Sequence, residues 1–131
     1  MSKGPPQTDD QPLVWIVDCE QWPRANLRAE LIERGYDAVG YIALAPVLSA
    51  LHRASRPKPR VLVLDLRGQS VAEADFEKLA ASSINVVIVG GAVELQQPGV
   101  GSRPWAAVLQ RPITLGEIAD AVERIISGCS Q

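Results

Sequence analysis

The sequence predicts an α/β fold, a parallel sheet with helices on both faces, and three observations carry that expectation. Apolar runs rich in β-branched and leucine side chains occur at residues 13–17, 61–64 and 84–89, the last interrupted only by Asn85, the pattern of strands buried on both faces. Segments with apolar residues at helical spacing lie between these runs, and strands alternating with helices imply right-handed crossovers and a parallel sheet. The runs end in polar or glycine punctuation: Asp18-Cys19-Glu20, Asp65 and Gly90-Gly91. In an open α/β sheet those carboxyl ends face the functional crevice.

Residues 1–12 contain three prolines, a glycine and mostly polar side chains. They hold too little apolar surface to offset their ordering entropy and are expected to form a disordered N-terminal tail. After the first strand a helix starts near Pro23, carries Leu27, Leu31 and Ile32 at helical spacing, and stops at Gly35. Residues 36–41 form a weaker run interrupted by Asp37 and Gly40, as suits an edge strand. Leu44, Val47, Leu48 and Leu51 mark a second helix, with Pro46 near its start and the Pro57-Lys58-Pro59 segment leading into the third strand. His52 falls on the outer surface of this helix and receives no catalytic role.

A loop at residues 66–70 leads to a short helix whose inward stripe is Phe76, Leu79 and Ala80. After the fourth strand, Pro98, Gly99, Gly101 and Pro104 leave room for at most one or two helical turns, near residues 93–97. Residues 105–109 read as the fifth strand, followed by Arg111-Pro112. In the last helix Thr114 and Glu117 form a capping box, and Leu115, Ile118, Val122, Ile125 and Ile126 form the buried stripe. One ordered domain is expected over residues 13–127, with a C-terminal tail at 128–131.

A chain of 131 residues with 47% hydrophobic and 21% charged residues has the length and composition of one globular domain. A net charge of -2 provides no basic footprint for nucleic acid and no polybasic patch for a membrane. No apolar run reaches membrane-spanning length and the first residues lack the apolar core of a signal peptide, so a cytoplasmic location is expected. Cys19 and Cys129 lie near opposite ends without metal-ligand spacing, which argues against a disulfide framework or a zinc site.

Asp65 has two readings. One is a turn opener that accepts a downstream backbone N–H; the other is a reactive carboxylate held on a rigid strand end. Its company decides between them. Five strands with Asp18 after the first, Asp65 after the third and a basic residue before proline after the fifth resemble the receiver domain of bacterial response regulators, across nearly all of residues 13–126. The resemblance implies a flavodoxin-like (βα)5 doubly wound sheet in the order 2-1-3-4-5. It implies that Asp65 matches the aspartate phosphorylated by a histidine kinase, and that Asp18, Asp65 and the Arg67 backbone carbonyl match the ligands of a magnesium ion. It places Gly91 where the family has Ser or Thr, and Arg111 where it has a lysine before a cis proline. The chemistry is coherent, because a carboxylate attacking a dianionic phosphate needs a hard cation and a fixed positive charge.

This chain departs from that set. Cys19 replaces the second acid, and a neutral thiol is a soft ligand poorly matched to magnesium, so any magnesium site is expected to be weak. Glu20 is not counted on to replace it, since adjacent strand-end residues point in different directions. Gly91 lacks the hydroxyl that bonds a phosphoryl group. Arg111 keeps the charge as a planar fork and is able to pair permanently with Asp65 or Asp18. Val108 falls where many receivers carry an aromatic switch residue. The shortened fourth helix also alters the face on which family members dock or dimerise.

The favoured reading is a receiver-like module with a degenerate phosphorylation site. It would bind a signalling protein, a histidine kinase or a downstream target, without phosphate, and a homodimer is compatible with this reading. The alternative is a functional receiver phosphorylated on Asp65, with at most slow autophosphorylation and dephosphorylation as its catalysis. A flavin- or nucleotide-binding domain is disfavoured because no Gly-rich loop follows the first strand, where Gln21-Trp22-Pro23 stands instead. A redox role for Cys19 is disfavoured because the adjacent Asp18 would raise a thiol pKa.

Overall fold

In the computed structural model, residues 11–53, 57–101 and 103–129 are described. The expected tail falls mostly on residues 1–10, outside that set. Five strands, β1 (Leu13–Val17), β2 (Asp37–Tyr41), β3 (Val61–Asp65), β4 (Asn85–Gly90) and β5 (Ala107–Gln110), form one sheet in the order β2-β1-β3-β4-β5. Every pairing is parallel. The described helices are α1 (Gln21–Glu33), α2 (Leu44–Leu51), α3 (Glu73–Ala80) and α4 (Leu115–Cys129). This is the flavodoxin-like architecture with an irregular fourth crossover.

Side chains of a strand alternate between faces, and the central strands use both. Trp15, Val17, Leu62, Leu64, Val86 and Ile88 point toward α2 and α3, in a cluster with Leu44, Val47, Phe76 and Leu79. Val14, Ile16, Val61, Val63, Val87 and Val89 point the other way and meet Leu27 and Leu31 of α1 and Ala119, Val122 and Ile126 of α4. Burial on both faces explains why the apolar runs are continuous rather than alternating. On β2, as expected of an edge strand, only Ala38 is fully buried.

Register sets up the crevice. Val17 pairs with Leu64, so Asp18 and Asp65 emerge at one level. Gly90 pairs with Gln110, so Gly91 and Arg111 emerge beside them.

Several boundaries move. Helix α1 begins at Gln21, so Pro23 is its third residue, still within the turn whose N–H groups lack intrahelical partners. Ile32 is exposed rather than on the inward stripe. Helix α4 continues to Cys129, past the expected boundary at residue 127; residues 130–131 lie outside the described set. Its capping box is present: the Glu117 N–H donates to Thr114 Oγ1 at 3.0 Å and the Thr114 N–H to Glu117 Oε1 at 2.8 Å.

Between β4 and β5 the only helical element described is a single 3-10 turn, Glu94–Gln96. The rest of that segment is held in place. Arg103 donates to the carbonyls of Pro98 and Gly99 and pairs with Glu73 and Glu77 of α3. Gly99 is packed so closely that a Cβ there would lie 2.1 Å from the Phe76 ring. Trp105 precedes β5 instead of belonging to it. Its indole N–H donates to the Val100 carbonyl at 2.8 Å and its ring meets Phe76 edge-on at 6.2 Å. The expectation of Trp105 as a strand residue is therefore corrected: it caps the core from a loop.

Candidate functional site

The two acidic strand ends share a local geometry. Asp18 Oδ1 accepts the Glu20 N–H and Asp65 Oδ1 accepts the Arg67 N–H, both at 3.0 Å. Each aspartate thus opens a turn while its carboxylate lines the crevice. Both are nearly fully buried, at 4% and 6% exposure. Burial, with the neighbouring Asp65 charge adding to it, pushes the Asp18 carboxyl above its ordinary range despite the hydrogen bond from Glu20 and the attraction of Arg67.

Two guanidinium groups meet these carboxylates. Arg111 Nη2 donates to Asp65 Oδ1. Arg67 Nη2 reaches Asp18 Oδ2 at 3.2 Å and Asp65 Oδ2 at 3.4 Å, bridging the pair. Its Nε lies 3.6 Å from Glu20 Oε2, an ion-pair distance, and is buried without a hydrogen bond among the described residues. Burial alone would lower the Arg67 pKa, but Asp65, Asp18 and Glu20 outweigh it and hold the group more firmly charged. Asp18 and Asp65 are thus tied together by two arginines, with Glu20 at the edge of the same ionic cluster.

The remaining expected positions take up other tasks. Cys19 Sγ donates to the Arg67 carbonyl at 3.1 Å. Gly68, at φ +69°, follows immediately, and a Cβ there would lie 2.4 Å from Cys19 Sγ. The Gly91 N–H donates to Glu94 Oε1 at 2.8 Å, and Glu94 Oε1 lies 3.6 Å from Arg111 Nη1. The Arg111–Pro112 peptide is cis, as expected. Val108 is half exposed on β5. A cavity of about 330 Å³ opens at the cluster and runs between the strand ends and helices α1 and α4.

Sequence reasoning assembled Asp18, Asp65, Gly91 and Arg111 but assigned Arg67 only a backbone role. Its side chain is the central cation. Glu94 was missed altogether. The signals were local: an arginine two residues beyond a strand-end aspartate, and a Gly-x-x-Glu spacing at 91–94.

The residues present do not fit a magnesium site. Magnesium requires near-octahedral oxygen coordination. Here a guanidinium bridges the two carboxylates, a thiol stands where the second acid belongs, and the expected carbonyl ligand accepts a hydrogen bond from that thiol. Among the described residues no three His, Cys, Asp or Glu side chains converge as a metal-holding group.

The structure is similar to solved receiver domains. A response regulator receiver protein from Pseudomonas putida is 27% identical, with a TM-score of 0.66 over 87% of this chain and 97% of that one. A structure described as a transiently phosphorylated "switch" in bacterial signal transduction is 25% identical, with a TM-score of 0.73 over 92% and 98%. A response regulator receiver domain protein from Clostridium thermocellum is 16% identical, with a TM-score of 0.73 over 91% and 97%. No protein-family model matches the sequence, and no curated protein matches it. The fold is the one shared by these response regulator receiver domains, to which the chain is similar. Among the described residues no helix is long and apolar enough to cross a membrane.

Proposed function

We propose that this chain is a receiver-like signalling module of a bacterial two-component system that binds its protein partner without phosphorylation of Asp65. One observation carries the reading: the Asp65 carboxylate is already held by both Arg111 and Arg67. A carboxylate must give up such contacts to attack a phosphoryl group, and the cation that would neutralise the incoming phosphate has no suitable ligand set. A modification shifts an equilibrium only through different affinity for two states. The hydroxyl and the aromatic ring that would distinguish those states are replaced by Gly91 and Val108. The module has no catalytic task beyond, at most, slow autophosphorylation and dephosphorylation. Its partner is a histidine kinase or a downstream target.

The test compares variants side by side in pull-down and complementation assays. Asp65→Asn is expected to leave partner binding nearly intact, within about twofold, whereas charge substitutions at the exposed Val93 and Gln96 or on the outer face of α4 are expected to weaken it by tenfold or more, about 1.4 kcal/mol. Complete loss in Asp65→Asn with an unchanged circular dichroism spectrum would establish the second reading, a phosphorylatable receiver. The cavity of about 330 Å³ that opens beside Asp65 is the observation that favours that second reading.

A further inference from the structure

We propose that the carboxyl half of the β2 edge takes an extended acidic segment of a partner protein as an added strand, with Arg24 and Arg28 of α1 receiving its carboxylates. This surface lies at the opposite edge of the sheet from β5, and its use does not depend on the state of Asp65.

In a parallel ladder, alternate residues of a strand turn both backbone groups toward the same neighbour. The Asp37 N–H donates to the Pro12 carbonyl and the Asp18 N–H to the Tyr41 carbonyl, so Asp37, Val39 and Tyr41 bond to β1. Ala38 and Gly40 therefore turn their backbone groups outward, where the sheet ends. An open edge of this kind is a template for another chain unless something covers it. The amino half is covered: Arg28 Nε donates to the Ala38 carbonyl at 2.9 Å, and Ala38 is 1% exposed. The carboxyl half is open. Gly40 is exposed, and neither its N–H, nor its carbonyl, nor the Ile42 N–H has a hydrogen-bond partner among the described residues. Exposed apolar side chains flank it, Val39 at 38% and Ile42 at 63%.

Charge decides which chain fits this edge. Arg24, Arg28, Ala38 and Gly40 line an open depression of about 380 Å³. The Arg24 stem lies over Gly40, where a Cβ would come within 3.0 Å of it. Arg24 Nη1 donates to the Asp18 carbonyl and Arg28 uses Nε, so each fork keeps terminal N–H groups free, and neither arginine is in an ion pair among the described residues. Such forks recognise carboxylates. Side chains of an added strand alternate between faces, so carboxylates on the α1 face meet the arginines while β-branched residues on the other face meet Val39. A second copy paired through β2 would set the arginines of both chains against each other, which favours an acidic partner instead.

The experiment adds a short acetylated and amidated peptide of alternating glutamate and valine to the full chain, followed by amide NMR shifts and hydrogen exchange. The Gly40 and Ile42 amides are expected to shift downfield and to exchange at least about tenfold more slowly, while the shielded Ala38 amide changes little. A lysine–valine peptide, and a glutamate–valine peptide N-methylated on the residues that face β2, are expected to bind at least about tenfold more weakly. The glutamate–valine peptide is expected to lose as much on Arg24→Gln/Arg28→Gln, and the two control peptides keep the test decisive where that variant does not fold. No response at Gly40 and Ile42 with the peptide in large excess, or equal binding of either control peptide, overturns the proposal. Slow exchange at Gly40 that grows with protein concentration in the absence of peptide also overturns it, in favour of a second copy.

Discussion

Asp18 and Arg67 show how single residues set the chemistry of this crevice. For Asp18 the folded-state pKa is raised above 3.8 chiefly by burial, so the folded protein binds its proton more tightly than the unfolded chain does. The associated stability is present below the unfolded value and is lost as pH rises through the folded one. Asp18→Asn keeps an acceptor for the Glu20 N–H and removes the titration. In urea denaturation across the acid range, the stability of the unmodified protein relative to Asp18→Asn is expected to fall as pH rises; a difference that grows with pH would show that Arg67, not burial, dominates. Arg67 yields a second prediction. Magnesium should bind weakly, Cys19→Asp should strengthen binding, and Cys19→Asp with Arg67→Ser should strengthen it by at least a further factor of about ten, since a cation no longer sits between the ligands. Chemical-shift titration measures all three proteins, and equal affinities would refute this account of the site.

Among the elements, the segment between β4 and β5 departs furthest from the regular βα pattern. Its prolines and glycines bar a full helix, yet they do not leave it loose, because Gly99 admits the Phe76 ring where any side chain would collide. Gly99→Ala is expected to destabilise the fold by about 1–3 kcal/mol, the usual cost of overpacking, read as a lower urea midpoint. An unchanged midpoint would mean that the segment yields freely. The composition of residues 92–105 revealed the missing helix but not the anchoring, since Arg103, Glu73, Glu77 and Phe76 meet only across the fold.

For the molecule as a whole, strand order places β3 at the centre with all five residues buried. Leu64→Ala is expected to cost about 2–5 kcal/mol, a large share of the roughly 5–15 kcal/mol that holds such a domain. The urea midpoint should drop with the slope unchanged, and a loss below about 1 kcal/mol would argue against a single cooperative core. Much of this architecture was legible in the chain. Strands buried on both faces must read as unbroken apolar runs, and a capping box must carry its own partners three residues apart, so β1, β3, β4 and α4 stood out locally. The family resemblance supplied the strand order and brought Asp18, Asp65 and Arg111 together. Tertiary structure alone decided where long side chains end. Arg67 and Glu94 each sit on a loop from which several directions are open, and only the parallel register, which sets Asp18 level with Asp65 and Gly91 level with Arg111, creates the charges that draw the guanidinium between two acids and the carboxylate onto an arginine.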